Sequence, residues 1–332
     1  MAKSRFEYVR TFELPDPLLN NTFVVCRVDG RTFHKFSDVH EFEKPNDKPA
    51  LDLMDRAARA VMDELPDVVM AFGESDEYSF LIRRQSNLFN RRRSKINSTV
   101  VSIFTSAYVF YWPQYMTNTP MQYPPSFDGR VVLYPTEKEV RDYFSWRQAD
   151  THINNLYNTA YHALLKGGQT PVEANQSLQA NKNELLFTKF GINYNNISPQ
   201  FRKGSTLVRV SPEGEGMGES VTPHGEPGPS VPRRAPASPA PKVEAEAHGD
   251  GVQGEADVPP GEAEAEAEAV PDAPFGAAEV EPEARVEKKK LGWREKKARR
   301  TRPYEGITGR VVVLHEDIIG DKFWALRPWL LS

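Results

Sequence analysis

An α+β fold, an antiparallel sheet with helices on one face, follows from three features of this 332-residue sequence. Apolar, β-branched runs stop at turn residues, as in Phe23-Val24-Val25-Cys26-Arg27-Val28-Asp29-Gly30. Long stretches with apolar residues at helical spacing lie between them. Over residues 1–135 the order is strand, helix, strand, strand, helix, strand, which is the split βαβ or ferredoxin-like arrangement.

Each element has a local cause. Ser4 to Phe12, with Phe6 and Val9 set against Arg5 and Arg10, predicts a short amphipathic helix before the Pro15-Asp16-Pro17 break. The run from Phe23 is the first strand, and its Asp29-Gly30 end delivers a carboxylate where the backbone turns. Arg31-Thr32-Phe33-His34-Lys35-Phe36 then starts a helix whose free amides and adjacent cations suit a triphosphate. Phe33 and Phe36 read as core, and Arg31 and Lys35 as phosphate contacts or as solvated charges. His34 is ambiguous, since a lone histidine beside a turn is usually neither ligand nor base. After the loop Glu43 to Asp47, a periodic helix at about Lys48 to Leu65 carries Leu51, Met54, Ala58, Val61 and Met62 on one face. Val68 to Phe72 and Tyr78 to Ile82 form a hairpin with Asp76 in its turn. Asn87 to Trp112 is helical, headed by the cations Arg91, Arg92, Arg93 and Lys95, which are phosphate contacts or a solvated face. Phe127 to Pro135 is the closing strand.

Asp29 and Asp76, both at strand ends, can clamp divalent cations as phosphoryl and nucleotidyl transfer require. The plain alternative is a turn dipeptide and a solvated hairpin tip. If Asp76 faces the site from a regular strand, alternation turns Glu77 away and makes it the weaker candidate. The β-α-β-β-α-β order is also the scaffold of polymerase and cyclase palms, so residues 1–135 are expected to be a palm-like catalytic domain. Fold analogy carries no chemistry by itself.

Beyond the palm, Glu137 to Leu165 is helical, and its Ser145 to Asn158 segment is rich in amide, aromatic and imidazole groups able to stack on or bond bases. Further helices start at Gln169-Thr170-Pro171 and at Asn181. Arg202 to Val210 reads as a strand with Arg310 to His315 as its return partner, and Glu316 to Trp324 as a short capped helix. Residues 136–210 and 301–332 are thus expected to form a C-terminal part packed with the palm. Between them, residues 211–283 hold 17 Asp/Glu against 3 Lys/Arg and 13 of the 27 prolines, whereas residues 284–302 hold 10 Lys/Arg against 2 Glu. Such a segment cannot bury enough apolar surface to offset its ordering entropy, so 211–300 is expected to be a disordered insertion. Its basic end suits RNA phosphates or nuclear import. The net charge of −4 conceals this split and says little about nucleic-acid binding. The single cysteine, Cys26, sits inside a strand and reads as a reduced structural thiol. With no signal-like or 18-residue apolar run, an intracellular, soluble protein without a membrane partner is expected, cytoplasmic or nuclear.

Four motifs carry a resemblance: Arg27-Val28-Asp29-Gly30-Arg31-Thr32-Phe33-His34, Lys44-Pro45-Asn46-Asp47, Gly73-Glu74-Ser75-Asp76-Glu77-Tyr78-Ser79-Phe80 and His152-Ile153-Asn154-Asn155-Leu156-Tyr157-Asn158. Together, in this order, they resemble the eukaryotic tRNA-histidine guanylyltransferases over residues 1 to about 210 and about 301 to 325. The resemblance implies a reverse-direction polymerase that adds one guanylate to the 5′ end of tRNA-His. ATP adenylates the 5′ phosphate, the 3′ hydroxyl of GTP attacks it, and pyrophosphate is later removed. It implies two Mg²⁺ ions per site, held by Asp29, the Gly30 carbonyl and Asp76. Asp29 through His34 and Ser75 would contact nucleotide; Lys44, Asn46, Asp47, Arg92 and Lys95 would approach triphosphates. His152, Lys182 and Asn193 match residues used for tRNA handling or activity, and a homotetramer is implied. Oxygen ligands without a cysteine cluster agree with Mg²⁺. The competing expectations are a template-dependent 5′-end repair polymerase and a noncatalytic tRNA-binding scaffold.

Overall fold

The computed structural model of the protein describes residues 4–179, 181–211 and 304–332. The expected acidic-then-basic insertion, apart from Ser211, lies outside the described residues.

Strands β1 (Phe23–Gly30), β2 (Val68–Glu74), β3 (Glu77–Ile82) and β4 (Phe127–Tyr134) take the order β4-β1-β3-β2, every neighbour antiparallel. Helices α1 (Phe33–Val39), α2 (Lys48–Glu64) and α3 (Arg93–Tyr115) make the crossovers, as the ferredoxin-like arrangement requires. The sheet then continues: β5 (Ser205–Val210) pairs with β2, and β6 (Arg310–Leu314) with β5, giving six strands.

Strand alternation sorts the core into two layers. Val24, Cys26 and Val28 point toward α2 and α3, where Ala57, Val61, Phe104 and Tyr108 bury them. Phe23 and Val25 point the other way, against Val140 and Phe144 of α4 (Glu137–Lys166) and the C-terminal Phe323 and Trp324. Palm helices therefore lie on one face, and the C-terminal part covers the other.

Local capping explains where the helices begin. The Asp47 carboxylate accepts the amides of Ala50 and Glu43, each at 2.9 Å, and starts α2. Leu53, Met54, Ala57, Ala58, Val61 and Met62 are its buried face, whereas Leu51, expected among them, is half-buried at the rim of a cavity. A Thr136–Glu139 capping box opens α4. Its far end carries Ala160 and Leu164 under α5 (Pro171–Ser177) and α6 (Lys182–Phe190), and Asn181 caps α6.

Three boundaries differ from expectation. Glu7–Phe12 is a 3-10 turn with no buried residue rather than an amphipathic helix; so short a segment has nothing to pack against. The last strand before the insertion starts at Ser205, because α7 (Pro199–Lys203) and Gly204 precede it; a Cβ on Gly204, at φ +73°, would lie 2.6 Å from the Gly73 carbonyl. The final helix, α8 (Asp321–Ala325), begins late since the Asp317 carboxylate takes the Ile319 and Gly320 amides in a turn ahead of it. Among the described residues no helix is long and apolar enough to cross a membrane.

Candidate active site

Asp29 and Gly30 are the last residues of β1, and Ser75-Asp76 is the two-residue turn joining β2 to β3. The Gly30 amide donates to the Asp76 carbonyl at 3.1 Å, which ties the hairpin tip to the strand end. A Cβ on Gly30 would lie 2.9 Å from Asp76 Oδ2 and 2.5 Å from the Phe33 ring, so only glycine lets the carboxylate settle there. Ser75, at φ +49°, donates its hydroxyl to Asp76 Oδ1 at 3.0 Å, and Thr32 turns the chain into α1 at φ +54°. Both non-glycine residues with left-handed backbone here flank the carboxylate pair, where strain is held by the surrounding structure. Burial, reinforced by the Asp29 charge, raises the Asp76 carboxyl above its ordinary value against the pull of the Ser75 hydrogen bond.

Glu77 corrects the alternation expectation. Asp76 lies in the turn rather than in a regular strand, and Glu77 is the register partner of Asp29 on one face of the sheet. Arg147 of α4 reaches both flanks of the tip, Glu74 at 3.4 Å and Glu77 at 3.3 Å, while Arg27 lies 3.4 Å from Glu77. Burial pushes Glu74 up to about 7, opposed by a Thr151 hydrogen bond and Arg147.

These residues edge a cavity of about 790 Å³. Thr32, Phe33 and His34 line it from α1, and Lys44, Asn46 and Asp47 from the following loop. Lys44 Nζ is 3.0 Å from Asp38 and donates to Ser37 Oγ at 2.9 Å. Asn46 accepts from the Asn155 amide at 2.8 Å, so α4 supports the loop. The opposite wall is the polar face of α4, including Arg147, Asp150 and Asn155.

The structure thus brings Asp29, Gly30, Thr32, Phe33, His34, Lys44, Asn46, Asp47, Ser75 and Asp76 to one cavity. Arg31, Arg92, Lys95, His152, Lys182 and Asn193 do not line it. The cationic run at the head of α3 is largely occupied by the protein itself. Arg91 is buried, bonding the carbonyls of Leu19, Thr22 and Ser86; Arg92 bonds Glu13 at 2.7 Å and Asp16 at 3.2 Å; Arg93 bonds the Val131 carbonyl. Lys95 is exposed, its ammonium 5.0 Å from the Phe89 ring. His152 is exposed beside Tyr194, ring centroids 5.4 Å apart, Lys182 lies 6.0 Å from the Tyr157 ring, and the Asn193 side chain caps a 3-10 turn. Sequence reasoning missed Asp55, Glu74, Arg147 and Asn155. The apolar spacing of α2 carries no sign of Asp55's partners, and Arg147 lies inside the amide-rich segment with no signal of its own.

The donor set fits a hard divalent cation. Among the described residues no group of three or more His, Cys, Asp or Glu is placed to hold a metal ion by itself. Two carboxylates and a backbone carbonyl beside a wide cavity leave the remaining positions to water and phosphate oxygens, which is how Mg²⁺ is usually bound.

Comparison with known proteins agrees with this geometry. The family profile described as tRNAHis guanylyltransferase matches residues 6–135, and that of its C terminal domain residues 138–320. A tRNA(His) guanylyltransferase of Neurospora crassa is 47% identical over 343 residues, covering 100% of this chain and 97% of that protein. A probable tRNA(His) guanylyltransferase of Dictyostelium discoideum is 56% identical over 214 residues, 63% of this chain and 84% of that one. The crystal structure of the Saccharomyces cerevisiae tRNA(His) guanylyltransferase superposes with TM-score 0.60 at 45% identity, covering 61% of this chain and 93% of that one. A bacterial guanylyltransferase-like protein in complex with ATP shares the fold at 23% identity and TM-score 0.51, over 61% and 85% of the two chains. With profile matches through palm and C-terminal part, and relatives alike along the same residues, the chain belongs to the tRNA-histidine guanylyltransferase family of nucleotidyltransferases.

Proposed function

We propose that the protein adds one guanylate to the 5′ end of tRNA-His, with ATP and GTP as co-substrates. The observation that carries this is that Asp29 and Asp76, the latter with Oδ2 against Gly30, line one cavity together with Lys44, Asn46 and Asp47. An oxygen of the tRNA 5′ monophosphate attacks the α-phosphorus of ATP and expels pyrophosphate. The 3′ hydroxyl of GTP then attacks the activated 5′ phosphorus and releases AMP, and pyrophosphate is finally removed from the new end.

Asp29, Asp76 and the Gly30 carbonyl would hold two Mg²⁺ ions, which when bound neutralise phosphate charge and acidify the attacking hydroxyl. The protein's own share is placement. Lys44, released from Asp38, neutralises a triphosphate, and Asn46, fixed by Asn155, orients it. His34 and Thr32 approach the nucleotide from the start of α1. His152, Lys182 and Asn193, outside the cavity, contact tRNA in this scheme, and the active assembly is a homotetramer.

The test is incubation of 5′-monophosphorylated tRNA-His with ATP, GTP and Mg²⁺ beside a tRNA bearing another anticodon. Guanylate is expected on tRNA-His alone. Equal labelling of both would favour a repair polymerase, and no labelling of either a noncatalytic scaffold. Asp29→Ala and Asp76→Ala should each lower turnover by about 10³-fold or more while leaving circular dichroism unchanged.

A further inference from the structure

Asp55 is a half-buried carboxylate on α2 that lines the same cavity and that the reaction scheme does not use. Its Oδ1 accepts the Tyr78 hydroxyl at 2.7 Å, and its Oδ2 accepts the Ser205 hydroxyl at 2.9 Å and the Gln200 amide at 3.5 Å. Gln200 also bonds Asp52 at 2.9 Å. One side chain therefore joins α2 to the metal hairpin, to the first residue of β5 and to α7. The hairpin end of this junction is rigid. Tyr78 and Gly73 are register partners, and a Cβ on Gly73 would lie 2.2 Å from the Tyr78 ring, so the ring rests on bare backbone. Gly204 presses on the other side, where its own Cβ would meet the Gly73 carbonyl at 2.6 Å. Beyond the Gly73–Tyr78 pair the hairpin has one further pair, Glu74–Glu77, before the turn that carries Asp76.

The geometry points to Asp55 as a positioning residue: by holding the Tyr78 hydroxyl it sets the hairpin tip that presents Asp76 to Asp29, and by holding Ser205 and Gln200 it makes that placement depend on the docked C-terminal part. This rests on the metal reading of Asp29 and Asp76. In this reading Asp55 acts through Tyr78 rather than on substrate, as groups orienting metal ligands generally do. The alternative is that the same bonds only stabilise the fold.

Mn²⁺ binding followed by the loss of free-ion electron paramagnetic resonance signal, with no nucleotide present, separates the two. Tyr78→Phe deletes one hydroxyl and keeps the ring on Gly73; Asp55→Ala deletes the acceptor; Asp55→Asn keeps an oxygen for Tyr78. Positioning predicts that Tyr78→Phe and Asp55→Ala each weaken Mn²⁺ binding and lower kcat by about 10- to 100-fold. The double variant should be no worse than the worse single one, because both break the same link, and Asp55→Asn should recover most of the affinity. Should Asp55→Ala fail to fold, Tyr78→Phe still decides the matter. If Asp76→Ala abolishes Mn²⁺ binding while Tyr78→Phe and Asp55→Ala bind as tightly as the parent and only melt earlier, the positioning role is overturned. Mn²⁺ binding that survives Asp76→Ala would instead overturn the metal site itself, and the positioning role with it.

Discussion

At the scale of single residues, Gly30 shows how little space separates a working site from a blocked one. A methyl group there would contact both the Phe33 ring and the Asp76 carboxylate. Gly30→Ala is expected to cost about 1–3 kcal/mol by overpacking, read from urea denaturation, and to lower guanylate addition more than stability alone explains. Arg91→Ala should do the reverse. Its guanidinium serves three carbonyls, so its loss should destabilise the fold by about 3 kcal/mol while the KM for GTP stays put. Burial pushes the Cys26 thiol up to about 12, so alkylating reagents should label it only once the protein unfolds. That Asp29 and Asp76 come to one cavity was legible in the sequence, because one ends an apolar strand at a turn and the other sits in the turn of a neighbouring hairpin. The cations at the head of α3 were not, since a charge run does not announce that Glu13 and Asp16, some eighty residues away, will neutralise Arg92.

Among the elements, α2 is the one whose chemistry exceeds its pattern. Its apolar spacing predicted a buried face, and that face is buried, but the same spacing hid a carboxylate beneath the sheet end. Burial raises Asp55 from 3.8 to about 7, opposed by hydrogen bonds from Tyr78 and Ser205; the Asp52 charge adds to the rise, Lys48 works against it, and Gln200 completes its surroundings. The folded state therefore binds a proton that the unfolded chain has already released, and stability should fall as pH rises from about 4 to about 7. Melting temperatures across that range are expected to slope downward in the parent and less steeply in Asp55→Asn, where Glu74, also raised to about 7, keeps part of the slope; equal slopes would remove Asp55 as a source. The β2–β3 hairpin was readable down to its turn. Strand alternation, which would set Glu77 aside, does not reach it, because Asp76 lies in the turn and Glu77 is the register partner of Asp29.

For the whole molecule, the return of the chain from β5 to β6 was foreseeable as two apolar runs, and Val210 and Arg310 prove to be register partners. Their proximity means residues 211–300 can be removed and the strands joined through what remains before Arg310, because loop closure depends only weakly on length. Such a protein should keep its circular dichroism and add guanylate to within about threefold of the parent. That these strands join the palm at β2 was not legible, for long-range pairing leaves no local mark in either strand. It has a practical consequence. A fragment ending at residue 135 would leave Met70 to Gly73 without their partners on β5 and uncover Phe23, Val25 and Leu81 where α4 now lies. A bare strand edge beside an apolar face recruits other chains, so the excised palm should elute as aggregates on gel filtration. By this reasoning the C-terminal part also shields residues 1–135 from self-association.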